Sequence, residues 1–179
     1  MRSASTLFFL VSLAVSSFAT VAQVEADIAN ISTSLNTVDA SINAFPTSGG
    51  TLAQALAIHN NAVALGTPLG QGTTDTQGTA GPISESDGRT ILTSVEALEP
   101  VIDDALTKIA ARKAAFQALP IGGIPALVKQ DINNLCSQTA TFETALIALC
   151  PTDLQGEATA LKNRIDAACA AAIAAYADV

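Results

Sequence analysis

The chain has no tryptophan, one tyrosine, one methionine and one histidine in 179 residues. With aromatics at 4%, its apolar interior has to be built from aliphatic side chains. One histidine and three separated cysteines do not make a zinc centre, which needs several nitrogen or thiolate donors together. Basic residues are scarce: Lys and Arg total 8 against 16 Asp and Glu, for a net charge of −8. That balance argues against nucleic acid and against anionic membrane as partners. There is no G-x-S-x-G elbow and no phosphate loop. Asp75 lacks the companion acids of a calcium loop. No stretch alternates as a strand would, and no cofactor is expected.

What is present is helical periodicity, preceded by a leader. Arg2 opens a short positive region, Leu7–Val15 is an apolar core, and small residues follow to Ala22. This pattern predicts a secretory signal peptide over residues 1–22, with cleavage after Ala22 or, second, after Ala19. Residues 23–179 then form one domain. No later apolar run is long enough for a transmembrane segment.

Val24, Ile28, Ile31, Leu35, Val38, Ile42 and Phe45 recur at spacings of 4 and 3, which places them on one seam of a first helix stopped by Pro46. Thr51 and Gln54 match a capping box for a second helix ending at Gly66. Its stripe reads Leu52, Ala55, Leu56, His59, Ala62 and Val63. Thr67–Pro82, with four glycines, is expected to be a loop. Ser84 caps a long third helix carrying Ile91, Val95, Leu98, Ile102, Leu106 and Ile109, kinked at Pro100. Val128, Ile132, Leu135, Thr139, Phe142, Leu146 and Leu149 define a fourth helix, and Leu154 to Tyr176 a fifth, opened by a second capping box at Thr152–Gln155. The expected fold is all-α: a single-domain bundle of about five mostly antiparallel helices.

Three cysteines leave one over if two pair. Cys136 and Cys150 share a helix and lie about 21 Å apart along it, beyond bonding reach. A hairpin turning near Pro151 instead sets Cys136 opposite Cys169, and a Cys136–Cys169 disulfide is expected, with Cys150 unpaired and buried. The alternative is three free thiols. Asn30-Ile31-Ser32 is a glycosylation sequon.

Little else carries chemistry. His59 lies on the apolar stripe of the second helix, as a core imidazole or as a donor to a ligand head group. Glu96, Glu99 and Asp103 share a face that points away from the seam, so they read as solvated. Thr139 interrupts the fourth seam; its hydroxyl either bonds back to its own helix or points at a polar ligand atom. No catalytic residues are expected, so the chain reads as a binding protein.

Val24-Glu25-Ala26-Asp27-Ile28-Ala29-Asn30-Ile31, the helix end Ile42-Asn43-Ala44-Phe45-Pro46, the Gly-rich turn before Leu52 and Lys113-Ala114-Ala115-Phe116 together resemble the fungal hydrophobic surface-binding protein A family, related to cell-wall galactomannoproteins. The resemblance extends over nearly the whole chain. It implies a secreted or wall-associated, non-catalytic helical protein. It also implies adsorption to hydrophobic surfaces, recruitment of a secreted esterase, or a long-chain fatty acid held in the core. Cavity candidates are Ile31, Leu35, Val38, Val63, Val95, Ile102, Ile132, Leu135, Phe142, Leu146 and Ile165, with His59 or Thr139 at a head group. The competing reading is a structural wall antigen or inhibitor-like module without a lipid.

Overall fold

Thr20 is the residue on which the first helix starts. Its hydroxyl accepts from the Gln23 amide, and Gln23 Oε1 accepts from the Thr20 amide at 2.9 Å, so two end donors are satisfied reciprocally. In the computed structural model, which describes residues 19–179, helix α1 spans Val21–Ala44. Most of the expected leader, residues 1–18, lies outside the described residues. The whole predicted seam of α1 is buried, from Val24 to Phe45. Phe45 closes it by stacking on Phe116, with ring centroids 4.4 Å apart.

Six further helical segments follow: α2 Leu52–Gly78, α3 Glu85–Glu96, α4 Glu99–Ala111, α5 Lys113–Gln117, α6 Ile124–Leu149 and α7 Gln155–Ala175. The Thr51–Gln54 capping box opens α2 as expected. Two expectations need correction here. The second helix does not end at Gly66, and Thr67–Gly78 is not a loop. Leu65, Leu69, Gly72 and Thr76 continue the buried stripe at helical spacing. Packing against α1 and α6 outweighs the low helix propensity of proline and glycine. Gly72 allows the close approach: a Cβ there would sit 3.1 Å from the Phe142 ring and 3.3 Å from Asp27 Cβ. Hydroxyls of Thr73, Thr74 and, at the C-cap, Thr79 bond to carbonyls four residues back, so each finds a partner without leaving the helix surface.

The third helix does bend near Pro100, but as a break that divides it into two segments, α3 and α4. The break falls at Ala97–Leu98, and Pro100 sits in the first turn of α4, where its missing N–H costs nothing. The five-residue α5 is a separate turn. The second capping box also fails to form: α7 begins at Gln155, whose side chain turns back to the Cys150 carbonyl.

The long helices close a ring. α1 packs on α2, α2 on α6, α6 on α7, α7 on α4, and α4 returns to α1. With α3 and α4 taken as one broken rod, five rods surround one axis; the expected count of about five helices is too low, because the third helix breaks and α5 is a separate segment. Two buried side chains fasten the rods at their ends. Arg112 Nε donates to the Phe45 carbonyl at 2.7 Å, and Tyr176 Oη donates to the Ile109 carbonyl at 2.7 Å. Among the described residues no helix is long and apolar enough to cross a membrane.

Candidate functional site: an apolar channel inside the ring

Five rods around one axis leave more central space than four. Only large side chains could fill it, and this chain has few. The axis is lined instead by Leu, Ile, Val and Ala, and a cavity of about 90 Å³ remains. Every rod contributes: Leu35, Val38 and Ile42 from α1; Ile58, Ala62 and Leu65 from α2; Ile102, Ala105, Leu106 and Ile109 from α4. Val128, Asp131, Ile132, Leu135, Cys136 and Thr139 come from α6, and Ile165 and Cys169 from α7. A second void of about 40 Å³ continues the first and shares Leu35, Leu65, Ile102, Thr139 and Ile165 with it. A third, of about 20 Å³, is separated from the second by Val95 and Glu143.

The predicted residues do not all fall in one place. Leu35, Val38, Ile102, Ile132, Leu135, Thr139 and Ile165 line the main cavity. Ile31, Val95 and Phe142 line the second void, and Leu146 the third. Val63 does not belong: it is 59% exposed, on the outside of α2. The buried face of α2 runs through Ile58 and Leu65 rather than Leu56 and Val63, about one residue round from the expected stripe. His59 does not line the cavity: it is half-buried behind Asp131, which does. Asn30 is exposed on α1, away from the channel. Cys136 and Cys169 form a disulfide joining α6 to α7, and Cys150 is a buried free thiol whose ionisation burial pushes up.

Two acidic residues in the channel were missed from sequence. Asp131 faces the main cavity, and both its oxygens take contacts from His59 Nδ1, at 3.0 and 2.9 Å. Burial pushes the Asp131 carboxyl up from its ordinary value, and the His59 hydrogen bond pulls it partly back. Glu143 lies between the second and third voids with its side chain 6% exposed. Neither of its oxygens has a hydrogen-bond partner among the described residues. Lys162 Nζ is 3.9 Å away, but its short contact, at 2.6 Å, is to Asp166. Burial drives the Glu143 carboxyl up to about 7, opposed by the Lys162 charge and reinforced by Asp166. A second seam on α6 signals Glu143: Cys136, Thr139, Glu143, Leu146 and Cys150 recur at spacings of 3 and 4. Asp131 likewise falls three residues after Val128 and four before Leu135.

Thr139 lies between these two carboxyls. Unlike Thr141 and Thr144, whose hydroxyls bond back to α6 carbonyls, it makes no side-chain hydrogen bond among the described residues. No cluster of described residues could hold a metal ion.

Residues 21–148 match the family described as hydrophobic surface binding protein A. The chain belongs to that family. Solved structures share the ring of helices that this family member shows. AFMP4P in complex with palmitic acid is 28% identical, with a TM-score of 0.79 over 87% of this chain and 99% of that one. Ligand binding domain 1 of the Penicillium marneffei MP1 protein, complexed with arachidonic acids, is 16% identical with a TM-score of 0.76, over 87% and 98% of the two chains. Ligand binding domain 2 of the same protein, complexed with multiple arachidonic acids, gives 16% and 0.78, over 89% and 97%. At that identity the two MP1 domains speak to fold alone. Comparison with proteins of curated function finds no match.

Proposed function

We propose that this protein is a secreted, non-catalytic carrier that holds a long-chain fatty acid along the axis of its helical ring. The observation that carries the reading is the line of apolar voids touched by all five rods, the first two of which meet polar groups among the described residues only at Asp131, Thr139 and Glu143 apart from the disulfide. The likeness to a palmitic acid complex at 28% identity supports it. The main cavity, at about 90 Å³, is smaller than the roughly 150 Å³ that accommodates benzene in a dry core, so an acyl chain enters only as the rods part. The α2–α6 seam is where the cavity and the outer surface share wall residues. Ala62, Asp131 and Leu135 border both the cavity and a polar groove on the outer surface.

Binding to hydrophobic surfaces, the property in the family's description, is the second reading. Among the described residues few large apolar side chains face outward: Leu56, Val63 and Ile121. Adsorption then requires the ring to open and lay its seams on the surface, as an amphipathic helix does. Recruitment of a secreted esterase to such a surface and a place in the cell wall belong to this reading. For the leader, the Thr20 cap favours cleavage after Ala19, since a cut after Ala22 removes the cap of α1.

The test is to secrete the protein from a eukaryotic host, extract it with organic solvent and measure co-purifying lipid by mass spectrometry. Stoichiometric fatty acid, or saturable binding of added oleate by the delipidated protein, is expected. Absence of both sinks the carrier and leaves surface adsorption, which depletion onto hydrophobic beads measures directly. N-terminal sequencing of the same material reads the cleavage site.

A further inference from the structure

A carboxyl group buried without a hydrogen-bond partner is costly, and a native fold that keeps one calls for a reason. Glu143 is such a group, and its position suggests the reason. It lies at the boundary of the second and third voids, and the second void runs into the main cavity past the unpaired Thr139 hydroxyl. From Asp131 to Glu143 along α6 is about 18 Å at the helical rise, a span that suits a long acyl chain. The two ends of that span differ in what they offer. Asp131 already accepts from His59, whereas both oxygens of Glu143 are free.

We propose that Glu143 is the polar anchor of the channel: it holds the carboxyl end of a long-chain fatty acid through one shared proton, with Lys162 balancing the charge that remains. This deepens the carrier reading and rests on it. Two carboxylates brought into contact cannot both stay ionised, so one proton bridges them. If Glu143 is ionised before binding, the proton is taken up from solvent. The pair then carries a single negative charge beside the Lys162 ammonium, 3.9 Å from Glu143 Oε2 in the free protein. The charged and titratable groups facing this point are few. α7 supplies Lys162 and Asp166, and Cys150, just past the last residue of α6, supplies its thiol. The residues lining the two voids from α1, α2, α3 and α4 are all uncharged. A hydroxyl-ended ligand of the same length would need no shared proton, because it donates to Glu143 directly.

The experiment is calorimetry of palmitate binding to the delipidated full-length secreted protein, in two buffers of different ionisation heat, between pH 6 and pH 9. Near pH 8 one proton is expected to be taken up per palmitate bound. Affinity should fall by about tenfold per pH unit above the Glu143 titration near pH 7. Glu143→Gln, which keeps the shape and offers an amide donor, should bind palmitate with no proton uptake and little pH dependence. Hexadecanol should bind the wild-type protein without proton uptake. Tight palmitate binding with no proton uptake, or uptake that survives in Glu143→Gln, overturns the subsite and leaves the carrier standing. Failure of palmitate to bind at any pH overturns the carrier, and the subsite with it. If Glu143→Gln does not fold, proton uptake by the wild-type protein decides alone.

Discussion

Asp131 and Glu143 are both carboxyls on α6 beside the same run of apolar space, yet the fold treats them differently. Asp131 borders the α2–α6 seam and meets His59 at 2.9 Å. Glu143 borders the α6–α7 seam, and the cation beside it is committed to Asp166. Burial raises both carboxyls; at Asp131 the His59 hydrogen bond opposes it, and at Glu143 it carries the group up to about 7. One end of the channel is electrostatically closed, and the other keeps capacity for a ligand. The comparison teaches that burial alone does not identify a binding group. What marks it is burial together with unspent hydrogen-bonding capacity.

The largest effect should come from what holds the Glu143 side together. The Cys136–Cys169 disulfide ties α6 to α7 across a sequence separation of 33. Replacing both cysteines with serine should cost roughly 4 kcal/mol in the loop-closure picture. Chemical denaturation measures the loss. Hydrogen exchange should show the α6–α7 side loosening before the α2–α6 side. Uniform loosening would mean that the two ends are mechanically one.

Next is Glu143 itself. Its folded carboxyl titrates at about 7, above the ordinary 4.5, so between those values the folded state keeps a proton that the unfolded state has released. The stability this contributes is fully present below pH 4.5 and is lost as pH rises through 7, a difference of about 3 kcal/mol. Glu143→Leu should therefore stabilise the ligand-free protein by about 1–3 kcal/mol at pH 8 and by much less at pH 4.5. Urea unfolding at both pH values checks the sign. Equal gains at both would show that the residue acts through packing rather than charge.

His59→Ala should cost about 1–3 kcal/mol, because it strands the Asp131 carboxylate. Adding Asp131→Leu should recover most of the loss, and a double-mutant cycle gives the coupling. No recovery would mean that the imidazole contributes by filling space. Smallest of all, Thr139→Val should change stability by less than ~1 kcal/mol, since its hydroxyl has no protein partner to lose. A larger loss would place an unseen hydrogen-bond partner, such as a buried water, between the two ends.

The buried seams of α1 and α6 are legible in sequence because large apolar residues recur there on one face without interruption. The bond between Cys136 and Cys169 is legible too, since hairpin geometry sets those positions opposite each other. The second half of α2 is not. Pro68 and the glycines around it are poor helix formers, and only contact with α1 and α6 makes Gly72 the right residue for a helix. The face of α2 is misread for a related reason. Leu56 and Val63 are as apolar as Ile58 and Leu65, and composition cannot say which pair meets α6. Glu143 stood on a readable second seam, but a glutamate at seam spacing reads as solvated until its neighbours are known.

By itself, then, the amino-acid order determines an all-helical chain, the buried seams of α1 and α6, the Thr51–Gln54 cap and one covalent tie, because those follow from local periodicity, capping and hairpin register. The tertiary structure alone decides that the rods close into a ring, that the ring leaves a channel, and that one carboxyl in it is answered and the other is not. Those properties depend on which faces meet across distances in the chain that no local pattern spans.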